Sequence, residues 1–145
     1  MKKLLLISCL LLLCSCESKE QIEKKNEEKK YNEMVSEVQK SDSPESTKEW
    51  LIDVNQGKVL TILCITTSGK CTKIKENVSK IKGAKVYYLN VDELNDQEKD
   101  TYKNKFTLND YTGYLPYLML SNDNKLLKTK TDIYEVNDIN KFITE

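Results

Sequence analysis

The side chains best suited to chemistry lie in one short stretch, Cys64-Ile65-Thr66-Thr67-Ser68-Gly69-Lys70-Cys71. A thiolate is a nucleophile, and Cys71 is placed in the first turn of a helix, where the positive end of the helix and neighbouring Lys70 favour the thiolate of an exposed cysteine. The same residue opens an apolar stripe of Cys71, Ile74, Val78 and Ile81, so it reads equally well as a packed helix residue. Ser68 stands three positions earlier, and a serine hydroxyl without a neighbouring base is inert towards disulfides. All 23 basic residues are Lys; the chain has no Arg and no His. Missing His excludes His-based zinc sites and Cys-His or Ser-His catalysis. No metal and no cofactor is expected.

The chain has five cysteines, and the other three fall in the first sixteen residues. Met1-Lys2-Lys3 is a charged start, Leu4 to Leu13 an apolar run, and Leu13-Cys14-Ser15-Cys16 its end. A run this short is a secretory signal and not a membrane span. Its last four residues resemble the lipobox of bacterial lipoproteins, with Cys16 as the acylated residue that becomes the new N-terminus. Cys14 in that role would need Leu12 and Leu13 at the small positions. Acyl chains on one residue anchor a protein stably, at about 0.8 kcal/mol per buried CH₂. Cleavage before Cys16 leaves 21 Lys against 23 acids, a net charge near −2. Such a surface offers no basic face for nucleic acid. Two free thiols remain, Cys64 and Cys71, in an export context that permits an oxidising location.

Residues 1–15 therefore read as a signal peptide, 16–43 as a lipid-anchored polar tether, and 44–145 as one folded domain. The tether from Glu17 to Asp42 carries a thin stripe of Tyr31, Met34, Val35 and Val38, and is expected to be solvated with a partial helix. Ser43-Pro44-Glu45 starts a helix that ends at Gly57, and Ser46-Thr47-Lys48-Glu49 reads equally well as a capping box that starts it one turn later. Val59 to Thr66 is too short and β-branched for a helix and too apolar for an exposed strand. The helix from Cys71 closes at Gly83, a second strand follows at Lys85 to Asp92, and a polar helix at Asp96 to Phe106. Leu115 to Leu120 is a third strand with Pro116 at its entrance. Ser121 to Asn124 form a hairpin turn before a fourth strand at Lys125 to Thr131, and Val136 to Ile143 is a closing helix. The order α-β-α-β-α-β-β-α defines an α/β domain.

That order resembles the thioredoxin fold over residues 44–145, which implies a central mixed four-stranded sheet flanked by helices. Val59 to Cys71 looks like the family's first core strand and active-site turn, with Ser68-Gly69-Lys70-Cys71 in place of Cys-Gly-Pro-Cys. Leu89-Asn90-Val91-Asp92 looks like the end of the next strand. Gly113-Tyr114-Leu115-Pro116-Tyr117 looks like the cis-proline segment. The departures fall on the redox machinery. Ser68 replaces the nucleophilic cysteine, Thr67 the preceding Trp, Lys70 the turn Pro, and Ile62 the buried Asp. Cys71 keeps only the resolving position. Ser68-x-x-Cys71 also resembles the Thr-x-x-Cys of peroxiredoxins, a family that relies on an Arg this chain lacks.

A bond from Cys64 to Cys71 requires Cα atoms within about 7 Å. In this fold the separation is marginal, so Cys64 is expected as a small buried hydrophobe. The resemblance implies an extended peptide laid against Leu115 and Pro116, with Tyr114 and Tyr117 as aromatic surface beside them. The expected function is that of an extracytoplasmic, membrane-anchored lipoprotein without the dithiol motif. It would bind an exported peptide or envelope protein, as accessory proteins of bacteriocin systems do. The alternative is an atypical oxidoreductase using Cys71, with Cys64 as resolving thiol.

Overall fold

The structure is a computed structural model that describes residues 18–40, 43–105 and 113–145. The segment read as a signal peptide, the expected lipidation residue Cys16, and Asp42, Phe106 and Thr112 lie outside the described residues. The chain divides into two compact units, residues 1–37 and 38–145. Helix α1, Lys19–Lys40, buries none of its 22 residues. It is a complete helix where a partial one was expected. Its start is a capping box: the Ser18 amide donates to Gln21 Oε1 at 3.0 Å, and the Gln21 amide to Ser18 Oγ at 3.3 Å.

The second unit runs α2 (Glu45–Gln56), β1 (Lys58–Cys64), α3 (Gly69–Asn77), β2 (Lys85–Asn90), α4 (Asp96–Lys105), β3 (Tyr117–Asn122), β4 (Lys125–Thr131) and α5 (Val136–Thr144). The strands form one mixed sheet in the order β2-β1-β3-β4, with β1 and β2 parallel and the other pairs antiparallel. Two-residue periodicity sorts the central strands onto two faces. Leu60, Ile62 and Cys64 of β1 join Leu118 and Leu120 of β3 under α3 and α5, with Cys71, Ile74, Ile139 and Ile143. Val59 and Leu63 join Tyr117 and Met119 on the other face, with Trp50 and Val54 of α2 and Tyr102 of α4. Both faces of the central strands are thus covered, which is why they read as continuous apolar runs. A mixed sheet between helix layers is compatible with a thioredoxin-like fold.

Several boundaries differ from the sequence expectation. Strand β2 ends at Asn90 and not at Asp92, and β3 runs Tyr117–Asn122 where Leu115 to Leu120 was expected. Ser121 and Asn122 still pair with Val59 and Lys58 of β1, which leaves only Asp123 and Asn124 in the turn. Strand β1 stops at Cys64, whose carbonyl accepts from the Val91 amide at 2.8 Å just beyond β2. Helix α3 ends at Asn77 and tightens into a 3₁₀ turn at Val78–Lys80, a common way for a helix to finish. Ile81 is then extended yet still buried. Gly83 reverses the chain into β2 at φ +92°, and a Cβ there would meet Ile143 Cγ2 at 3.0 Å. In the β3–β4 hairpin, Asp123 and Asn124 both take positive φ, a conformation these residue types tolerate.

Candidate functional site

Cys64 ends β1, Cys71 lies in the first turn of α3, and the two are joined by a disulfide with Cα atoms 5.6 Å apart. Both residues are fully buried. This corrects the expectation that Cys64 is only a packed hydrophobe, and it removes the exposed, thiolate-prone form of Cys71. The physical reason is the sharpness of the turn. The Thr66 amide donates to Asp92 Oδ2 at 3.0 Å, and Asn90 Nδ2 donates to Thr66 Oγ1 at 2.9 Å. The end of β2 thereby holds the chain as it leaves β1 and folds the helix start back over the strand end.

Ser68 is the N-cap of α3. Its Oγ accepts from the Cys71 amide at 3.4 Å and its carbonyl from the Thr72 amide at 3.0 Å. The Ser68 hydroxyl is therefore an acceptor for the helix end, a role serine fills well. The carbonyl of Cys71 accepts from the Tyr88 hydroxyl at 3.3 Å. Burial, with a smaller contribution from Glu93, raises the Tyr88 pKa, so that donor keeps its proton at neutral pH.

The Leu115–Pro116 peptide bond is cis. Tyr114 beside it is 71% exposed, Leu115 is half-buried and Pro116 is buried. Tyr117 departs from expectation: its ring lies in the core with Trp50 and Met119 and offers no surface. Period-two alternation puts Tyr117 on the inner face that α2 covers. A residue that sequence reasoning missed links the pieces. The Asp132 amide donates to the Pro116 carbonyl at 3.3 Å, and its carboxylate pairs with Lys70. The pairing raises the Lys70 pKa and keeps it charged. Asp132 thus ties the proline segment to the residue before Cys71, across 62 positions of sequence. No local pattern announces such a pair.

The opposite face of the sheet carries a second buried polar set that serves packing. Trp50 Nε1 donates to Thr61 Oγ1 at 2.8 Å, and Thr47 Oγ1 donates to Glu98 Oε1 at 3.1 Å. Glu98 also closes a capping box with Asn95, through bonds of 2.9 and 3.0 Å. The spacing Asn95-x-x-Glu98 is a readable signal for that helix start. Trp50 and Tyr102 stack edge to face with centroids 4.4 Å apart. At the outer edge of the sheet, Lys85 and the Tyr87 hydroxyl both donate to Asp53. Burial raises the Asp53 pKa, but these two donors outweigh it and hold it below its ordinary value.

Among the described residues, no group of three or more His, Cys, Asp or Glu side chains could hold a metal ion. No helix among them is long and apolar enough to cross a membrane. Comparison of the sequence with family models and with curated proteins finds no match. What the site offers chemically is a buried cystine behind a capping serine, next to an exposed tyrosine and a proline-bounded strand start.

Proposed function

We propose that the chain is a thioredoxin-like lipoprotein held by acylated Cys16 on the extracytoplasmic face of a bacterial cell membrane. There it binds an exported peptide or an envelope protein and does not carry out two-cysteine motif exchange. The observation that carries this reading is the state of Cys71. The sulfur in the resolving position is fully buried and already bonded to Cys64, while Ser68 in the attacking position is engaged as a helix cap. A thiol that is neither free nor accessible is a poor exchange centre. The start of β3 supports the binding half of the reading, because Tyr114 stands out beside the Leu115–Pro116 segment as an amphipathic anchor. An accessory role in a bacteriocin-type export system fits that arrangement.

Titration of the purified chain with synthetic exported peptides of its own cell tests the binding half. Tyr114→Ala is expected to weaken the bound peptide by about tenfold, the effect of losing about 1.4 kcal/mol of anchor contact. Binding of none of the exported peptides, or binding indifferent to Tyr114, contradicts the reading. The alternative, an atypical oxidoreductase, is favoured by one specific observation: Cys64 and Cys71 form a bond at all. The two readings part on whether the pair turns over a disulfide substrate.

A further inference from the structure

Between β4 and α5 the chain runs through Asp132, Ile133, Tyr134 and Glu135, and this segment is fastened to α3 on either side of Cys71. Lys70, immediately before Cys71, pairs with Asp132, and Lys73, two residues after it, pairs with Glu135 at 3.5 Å. The ammonium groups of Lys70 and Lys73 stand 5.6 and 5.0 Å from the centroid of the Tyr134 ring. Ile133 and Tyr134 pack, half-buried, against the apolar cluster that contains both cysteines. Below this contact the seam is open. A cleft of about 450 Å³, lined by Lys73, Asn77 and Lys80 on one side and Tyr134, Glu135 and Val136 on the other, separates α3 from the start of α5. Besides the half-buried packing of Ile133 and Tyr134, the segment is thus held to α3 by polar and cation–π contacts, and all four partners in the two ion pairs are well exposed to solvent. Exposed pairs of this kind are weak and are screened by salt.

We propose that Asp132–Glu135 is a salt-sensitive strap that controls access of an external dithiol to the Cys64–Cys71 bond. With the strap down, neither sulfur meets solvent. With it lifted, a thiolate of the dithiol attacks one of the two sulfurs, forms a mixed disulfide and expels the other cysteine as a thiolate. The second thiol of the reagent, as its thiolate, then attacks the mixed disulfide. The reagent leaves as a cyclic disulfide, and both cysteines are left reduced and take up protons. Two electrons pass from the reagent to the protein. This control stands whether or not a peptide binds at Leu115 and Pro116.

The test uses the full oxidised chain under native conditions, with dithiothreitol as the dithiol and alkylation plus mass measurement to count free thiols over time. The variant is Asp132→Asn with Glu135→Gln. Asn tolerates the positive φ of 66° at position 132, so the change removes charge and leaves the backbone conformation accessible. In wild type, reduction should be slow at low salt and accelerate several-fold at 0.5 M salt, on the order of the screening expected at that strength. The variant should be fast at low salt and gain little from added salt. Equal rates and equal salt responses in the two proteins would overturn the proposal. So would a faster variant whose gain is accounted for by a lower global stability measured in the same buffer.

Discussion

Asp53 shows how a single side chain is read physically. Its carboxylate sits between the Lys85 ammonium and the Tyr87 hydroxyl at the β2 edge, and its folded pKa lies below the ordinary carboxylate value. A depressed acid contributes stability above its unfolded pKa and loses it as pH falls through the folded value. Asp53→Asn should therefore cost about 1 kcal/mol at neutral pH, a figure discounted for the half-exposed lysine. The gap between wild type and variant should close as pH drops below about 4. Urea denaturation at pH 7 and pH 3 checks this; a gap of the same size at both values would contradict it. The candidate site was legible at this scale in part. Cys71 and Ser68 stand out by type and position. The bond to Cys64 does not, because a Cα separation of 5.6 Å depends on how Asn90 and Asp92 hold Thr66. Nor does the inward turn of Tyr117, since both Tyr117/Met119 and Leu118/Leu120 are apolar and their alternation points to neither face.

Elements were more legible than the contacts between them. Turn residues, β-branched runs and capping signals mark every strand and helix of the second unit, because each of those signals is local. Boundaries were less legible: the stripe of α3 reads to Ile81, but the helix stops at Asn77 and Ile81 reaches the core from an extended segment, and β3 runs on through Ser121 and Asn122, which read as turn residues. Burial alone decides the stripe, and two backbones can deliver it. The strap from Asp132 to Glu135 is likewise invisible in sequence, since its partners lie far away in the chain. The Cys64–Cys71 bond joins β1 to α3 through a short loop, and in the chain-entropy view such a link stabilises chiefly by restricting the unfolded state. Replacing both cysteines by Ala should cost about 2.4 kcal/mol while leaving the sheet intact. Equilibrium denaturation with a circular-dichroism readout measures it. A loss below about 0.5 kcal/mol would mean that the bond does not act as a staple between these elements.

At the scale of the whole molecule, chemistry and packing divide the sheet between them. One face, under α2 and α4, holds Trp50, Thr61, Thr47 and Glu98 in fully engaged hydrogen bonds and behaves as structure. The other, under α3 and α5, holds the cystine, the strap and the link to Pro116. Helix α1, with no buried residue, lies in the segment that the proposed function takes as the tether. With nearly balanced charge in the sequence, the proposed binding would rest on shape and on Tyr114 and not on long-range attraction. The central claim of the proposed function is that this domain binds a peptide or protein partner and does not exchange disulfides. Reduction of insulin by dithiothreitol, followed by turbidity with and without the oxidised full chain, tests it most directly. The account predicts a time course that the protein does not accelerate. Acceleration that rises with protein concentration and disappears in Cys71→Ser would contradict it and make the buried pair a working redox centre.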